Sequence, residues 1–515
     1  MARGGVLVGL DVGTTSVRSV LFDLFGRTLR QSSARQRTRT PAPGWVEQDA
    51  EEIFRLSVRT LRDVVPRRTP PEAVGLTNQR ESLVAIDAGT GRALAPVVLW
   101  QDGRTASLAS ELSEEGWGGR CWDQGGLPLT TYPTAPKMLW MLRNVRAVRE
   151  AARRDRLLFG TLDSWIIYRL LGGARRSAPW LTDATNASRT LLYDLSSGAW
   201  SPALLDHFQV ASGTLAAIRP SFGAIYGELP KEILGIEGVP LASDLGDQQA
   251  GLLGVAGFRE GAAKLTLGTG GFFLAEGAPE GSGRREGLIR TVLWEDDGRR
   301  RAFGLEGGVG TVGAFLEWLG PHGIGLFSSP QAVGREAAKG SRGNGVLFVP
   351  ALSGLFAPHW RPMARAALLG ASRATRRGDL ALAALDGVGH RVADIVDAHA
   401  RARGGLPTRL WVDGGLSRSD PLLRSIADLS GVTLYRSTVT EATARGAALA
   451  AGISVGVVGR GHSFPPPTQF RGPDGICRPR LPARERTVLR EVWGVVVSKL
   501  PDGALGGARG PSRDG

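Results

Sequence analysis

A chain of 515 residues that is 42% hydrophobic and 22% charged is too long for one ordinary core and apolar enough for two large ones, which excludes a disordered or fibrous protein. The net charge of +14 is carried by scattered arginine, with lysine only at Lys137, Lys231, Lys264, Lys339 and Lys499 and no aromatic-interleaved basic stripe, which argues against nucleic acid as a partner. Two cysteines, Cys121 and Cys477, and six unclustered histidines exclude a disulfide scaffold and a zinc cage; the N-terminal apolar run is cut at Asp11 and no other reaches the ~20 residues of a membrane span, so a cytoplasmic protein is expected.

The first predicted elements are strands at 6–10 and 17–22, joined by Leu10-Asp11-Val12-Gly13-Thr14-Thr15-Ser16. This turn carries a carboxylate, a glycine and three consecutive hydroxyls. Its N–H and O–H groups suit phosphate and Asp11 suits Mg²⁺, although Gly and Thr also serve ordinary hairpins. The spacing of Ile53, Leu56, Leu61 and Val64 predicts a helix over 51–65, and further strands follow at 74–77, 83–87 and 97–100, with a hairpin turn at 87–91. Thr77-Asn78-Gln79-Arg80-Glu81 sits at a strand end. An Arg donating a planar fork beside a Glu that accepts from hydroxyls suits a polyol; the alternative is an exposed salt-bridged loop. Trp100 and Tyr132 are aromatics beside polar segments, fit either for core or for walling a small carbon skeleton. Residues 130–230 read as mostly helical, with Thr182-Asp183-Ala184-Thr185-Asn186-Ala187-Ser188-Arg189 as a polar loop. A strand from 240 then runs into Gly246-Asp247-Gln248-Gln249-Ala250 and a small-residue helix over 248–255, where Asp247 is a candidate general base or an N-cap.

A boundary near 255 opens a second half, with strands at 263–267, 271–274 and 289–293. Leu265-Thr266-Leu267-Gly268-Thr269-Gly270-Gly271 echoes the first turn. Gly308-Val309-Gly310-Thr311-Val312-Gly313 matches G-x-G-x-x-G literally between a strand at 301–305 and a helix at 312–319. It lacks a strand-end acid about 20 residues on, so it reads as a helix N-terminus approached by a nucleotide rather than a dinucleotide fingerprint. Helices at 379–401 and 422–429 flank a strand at 409–412 and the turn Asp413-Gly414-Gly415. An Ala-rich helix covers 441–451, a Pro/Gly-rich connector 462–482, a last amphipathic helix 484–499, and a tail of disordered composition 501–515. No G-x-x-x-x-G-K-[ST] occurs, which excludes a P-loop enzyme. Two halves that each begin with a hairpin bearing a Gly/Thr turn predict a duplicated α/β architecture with a ligand cleft between them.

Taken together these motifs resemble the FGGY family of carbohydrate kinases, most closely its glycerol-phosphorylating members. Eleven segments carry the resemblance in the right order, among them 11–18, 44–49, 77–81, 132–140, 182–190, 246–250, 268–272, 413–415 and 441–452. The resemblance implies an α/β, two-domain actin/Hsp70-like ATPase with ribonuclease H-like duplicated halves and an interdomain catalytic cleft. It implies an N-terminal kinase domain at 5–254, a C-terminal one at 255–460, a connector and last helix at 461–500 and a tail at 501–515. The implied reaction is ATP-dependent phosphorylation of glycerol to sn-glycerol 3-phosphate with Mg²⁺. By the same resemblance Asp247 is the catalytic base; Arg80, Glu81, Trp100, Tyr132, Asp247, Gln248 and Phe272 form the glycerol pocket; Thr14, Thr15, Ser16, Arg18, Thr269, Gly313, Glu317, Gly415 and Ser419 contact nucleotide; and Asp11 is the metal-associated carboxylate. Glu317 and Ser419 stand where Gln and Asn are usual, Arg361 where an acid is usual, and Thr134-Ala135-Pro136 is closer to pentulose and gluconate kinases. A kinase for another polyol or ketose, such as xylulose or erythritol, and a non-catalytic sugar–nucleotide sensor are the alternatives, and a homo-oligomer is left open.

Overall fold

The structure, a computed structural model, describes residues 5–66, 69–459 and 475–501. These form two compact α/β units. The first takes residues up to 260 together with 290–304 and the stretch from 441; the second takes 261–289, 305–440 and the C-terminal stretch.

The first unit is built on a six-stranded sheet in the order Gly227–Leu229, Val239–Gly246, Ala73–Asn78, Val6–Val12, Ser16–Asp23, Thr28–Arg35. Val6–Val12, Ala73–Asn78 and Val239–Gly246 run parallel, and their residues are buried almost throughout, as strands covered on both faces must be. Helix Ala50–Val64, capped by Asp49 through the amides of Glu51 and Glu52, covers one face with Ile53, Leu61 and Val64. Helix Ala442–Ser454 covers the other with alanines and glycines, together with helix Asp247–Ala256. The approach is so close that a Cβ on Gly9 would lie 2.0 Å from Ala444 O and one on Gly75 2.1 Å from Ala447 O.

The second unit repeats the plan. Ala263–Leu267 pairs antiparallel with Gly271–Glu276 and parallel with Leu410–Asp413, which pairs parallel with Leu434–Arg436, and Ile476–Cys477 closes that edge antiparallel. Residues 305–309 of the strand Arg301–Val309 lie beyond Gly271–Glu276. The 27-residue helix Arg377–Arg403 fills the core under this sheet, and the last helix, Ala483–Lys499, docks through Trp493 and Val497. The expected duplication is therefore present in the central sheets of the two units.

Differences are local. Residues 130–230 carry more strand than their composition predicts, with Leu157–Thr161, Leu181–Asp183, Ala217–Arg219 and Gly227–Leu229 among the short pieces, because runs of three to five residues show no periodicity of their own. Thr28–Arg35 has no apolar alternation and is a strand because Ser16–Asp23 offers it a ladder at the sheet edge. Much of the expected connector at 462–482 and nearly all of the tail at 501–515 lie outside the described residues.

Candidate functional site

In the first unit, the C-terminal ends of three neighbouring parallel strands deliver the candidate residues. Asp11 is opposite Thr77, and Gly246 is opposite Asn78, so the turn at 13–16, the segment 79–82 and the start of helix Asp247–Ala256 emerge side by side. Strand ends in a parallel sheet leave backbone and side chains uncommitted to the ladder, which is why ligands gather there.

Asp11 is buried, and its carboxylate accepts a hydrogen bond from Thr443 Oγ1 at 2.7 Å. Burial pushes its carboxyl up to about 7; the Thr443 bond pulls the other way and the negative charge of Asp247 adds to the rise. A buried carboxylate so short of positive charge fits a cation. Among the described residues no three or more His, Cys, Asp or Glu side chains are arranged as a metal cage, and Asp11 is the carboxylate that would hold Mg²⁺. The following turn is braced from behind. Gln48 Nε2 donates to Thr14 O at 2.7 Å, Trp100 Nε1 donates to Thr14 Oγ1 at 3.0 Å, and Gly13 N donates to Ser16 O at 3.2 Å, while Thr15 stands exposed at its tip. Arg18 pairs with Glu441 at 3.3 Å.

Arg80 and Glu81 are buried, not an exposed ion-paired loop. Arg80 Nε lies 3.2 Å from Asp247 Oδ1, and Arg80 Nη1 donates to Gln249 Oε1 at 3.3 Å. Glu81 has φ 60°, a left-handed conformation that costs a residue with a Cβ about 1–2 kcal/mol, and two buried cations hold it there. Arg189 Nε donates to Glu81 Oε1 at 2.6 Å, and Lys137 Nζ donates to Glu81 O at 3.2 Å and to Tyr132 O at 2.7 Å. Burial pushes the Lys137 ammonium down to about 7 against the pull of Glu81. Trp100 and Tyr132 meet edge to face at 6.0 Å, with the Arg189 guanidinium 5.6 Å from the Tyr132 ring centre. Gly246 is the N-cap of the helix and Asp247 opens its first turn, accepting from Gln248 N at 2.7 Å. The cap role therefore falls to Gly246, and the Asp247 carboxylate, 28% exposed, is directed to Arg80.

The remaining candidates lie in the second unit. Phe272 stands on Gly271–Glu276, next to the turn Gly268-Thr269-Gly270. Val312 N and Ala314 N donate to Thr269 O at 2.9 and 3.2 Å, and Gly313 N donates to Gly268 O at 3.0 Å. A Cβ on Gly313 would lie 2.6 Å from that same oxygen, so the third glycine of the G-x-G-x-x-G run is there to seat the helix Gly313–Trp318 on the turn. Glu317 is exposed on this helix. Gly414, at φ 86°, bends the chain after Leu410–Asp413; Gly415 is exposed with open space at its Cβ position, and Ser419 is the N-cap residue of Asp420–Ser430.

Several functional partners escape the sequence motifs. Lys137 and Arg189 serve Glu81 from 56 and 108 residues away. The local signals are a lysine flanked by apolar residues in the helix Thr134–Asn144 and an arginine closing a polar run. Lys264 is buried beside Asp413, 3.7 Å away. Asp163, Asp183 and Asp244 are all fully buried near one another, and burial raises the carboxyls of all three. Asp244 is raised well above the usual carboxylate range, first by burial and then by the negative charges of Asp163 and Asp183.

Family models of the FGGY family of carbohydrate kinases match residues 6–254 (N-terminal domain) and 263–455 (C-terminal domain). A glycerol kinase of Thermus brockianus is 39% identical over 497 residues, covering 96% of this chain and 98% of the relative, and one of Halorhodospira halophila is 37% identical over 500 residues, covering 96% of each. The crystal structure of Plasmodium falciparum glycerol kinase with ADP superposes with a TM-score of 0.87 at 27% identity, over 96% of this chain and 98% of that one. A xylulose kinase of Lactobacillus acidophilus, 20% identical with a TM-score of 0.83, shares the fold.

Proposed function

The chain belongs to the FGGY family of carbohydrate kinases, and from that premise we propose that it transfers the γ-phosphoryl group of ATP to glycerol, giving sn-glycerol 3-phosphate and ADP. One observation carries the reading: Asp11, the Arg80–Glu81 fork and Asp247 emerge together from adjacent parallel strand ends, beside the Trp100–Tyr132 pair. A triol needs that combination. Glu81 accepts from one hydroxyl and Arg80 donates to another, the aromatic edges enclose the carbon chain, and the Asp247 carboxylate faces the terminal hydroxyl. Asp247 takes the hydroxyl proton as the oxygen–phosphorus bond forms and the bond to the ADP oxygen breaks. Mg²⁺ bound at Asp11 would supply charge neutralisation on the phosphates. The hydroxyls of Thr14, Thr15 and Ser16 and the Thr269 turn would contact the phosphate chain, while Gly313, Glu317, Gly415 and Ser419 would lie towards the nucleoside.

Relatives at 36–39% identity named glycerol kinase support glycerol over other polyols. The test is ADP release from Mg–ATP with glycerol, erythritol and xylulose as acceptors. Glycerol should give the highest kcat/KM. Faster turnover with xylulose or erythritol would overturn the substrate, and no ADP release with any acceptor would leave a sensor.

A further inference from the structure

Behind the candidate base, a fully buried network ties the loop at Asp183 to the strand end that delivers Asp247. Asp183 Oδ1 accepts from Asn186 N at 2.9 Å, Asn186 Nδ2 at 3.0 Å and Thr185 Oγ1 at 2.8 Å. Asp183 Oδ2 accepts from Thr185 N at 2.9 Å and Ser221 Oγ at 2.6 Å. Thr185 has thus committed its one hydroxyl proton to Asp183, and its hydroxyl oxygen is left to accept from Gly246 N at 2.8 Å. Gly246 is the residue before Asp247. Its peptide is wedged in place, because a Cβ there would lie 2.5 Å from Arg80 Cδ and 2.9 Å from Gln249 Oε1. The same loop holds the neighbouring strand: Asn186 and Asn78 exchange side-chain hydrogen bonds of 3.1 and 3.2 Å, and Asn78 is the sheet partner of Gly246.

We propose that Asp183 and Thr185 are positioning residues for the reaction. The Thr185 hydroxyl, oriented by the Asp183 carboxylate, holds the Gly246 peptide and so sets Asp247 against Arg80 and the acceptor hydroxyl. The inference rests on the reading of Asp247 as base. Neither residue touches substrate; both act through a backbone N–H whose displacement moves the base. Misplacing a reacting group by about 1 Å costs up to about 100-fold in rate.

The test uses the full-length enzyme with Thr185→Val, Thr185→Ser, Asp247→Asn and the double variant T185V/D247N. T185V should lose about 10- to 100-fold in kcat while the KM for Mg–ATP stays within about twofold, and T185S, which keeps the hydroxyl, should return to within about threefold of wild type. T185V/D247N should turn over no more slowly than D247N alone, because the group that T185V displaces is already disabled. A folded T185V with wild-type kcat, or losses that multiply in the double variant, would overturn the proposal. Wild-type turnover in D247N would instead overturn the base itself, whatever T185V does. If T185V does not fold, Asp183→Asn carries the same expectation: an amide there disturbs the orientation of the Thr185 hydroxyl, and a full-rate D183N overturns the proposal.

Discussion

Asp247 and Arg80 touch, yet in the proposed reaction they have different roles, and single substitutions should separate them. Asp247→Asn keeps the shape and removes the proton acceptor, so kcat should fall about 10²- to 10⁴-fold, read as initial ADP release at saturating glycerol and Mg–ATP. Arg80→Ala should raise the KM for glycerol far more than that for ATP, since its fork serves hydroxyls; an equal rise in both would remove Arg80 from the polyol pocket. Asp11 makes a stability prediction whose sign follows from its environment. Its folded carboxyl titrates near 7 and its unfolded one near 3.8, so the folded state binds the proton more tightly, and stability is lost as pH rises from about 4 towards 7. Asp11→Asn should therefore melt higher than wild type at pH 8 without ligand, at roughly 1–2 °C per kcal/mol regained, with the gap closing by pH 4 and activity lost. A lower melting temperature at pH 8 would show that the Asp11 charge is already compensated. At this scale the sequence exposes the residues whose chemistry is local, such as Asp11, Arg80, Glu81 and Asp247, each next to a glycine turn or a strand end. It hides Lys137 and Arg189, whose tie to Glu81 spans 56 and 108 residues, and it hides the Asp163–Asp244 pair, because the burial that raises both carboxyls leaves no mark on the sequence around them.

At the scale of elements, the helix Ala442–Ser454 shows what its composition is for. Its alanines and glycines admit backbone contact with the strands beneath and with helix Asp247–Ala256, where a Cβ on Gly446 would lie 1.9 Å from Ala250 O. In an open helix Gly→Ala is worth about 1 kcal/mol of stability. At Gly446 the methyl group meets backbone, which cannot rotate away, and overpacking of about 1–3 kcal/mol outweighs the gain. Gly446→Ala should thus lower the melting temperature, whereas Gly494→Ala, on the exposed face of Ala483–Lys499 with nothing within 4 Å of its Cβ position, should raise it. Equal shifts in the two variants would refute the close approach. The helix itself is legible in the sequence from its alanine run; the sheet it covers is not, since no local period records a partner more than 400 residues upstream. Arg361 is the converse case. An arginine is not expected there, and its guanidinium donates to the carbonyls of Val497 and Leu500, satisfying the last turn of the final helix.

For the whole molecule, chain order and folding unit do not coincide. The first unit draws residues from three separate parts of the chain: those up to 260, 290–304, and those from 441. The two later pieces are core, not decoration. Ala444, Ala448, Leu449 and Ala451 complete the cluster around Leu7, Val20 and Leu253, and Val292 packs with Ala184 and Tyr193, while Thr291 and Val292 accept from Gln249 Nε2 at 3.4 and 3.0 Å. A fragment cut at residue 260 would expose the apolar face that the 442–454 helix covers and leave Gly9, Gly75 and Gly254 facing water instead of backbone. A domain is held folded by only about 5–15 kcal/mol, so losing this part of its core should unfold it. Residues 1–260 expressed alone should therefore show no cooperative thermal transition and should bind a dye that reports exposed apolar surface. Supplying 261–515 as a second chain in the same cell should restore a sharp transition in the purified pair, because the missing helix and strand return with it. A cooperative melt from 1–260 alone would mean that the helix is an accessory to the first sheet rather than part of its core.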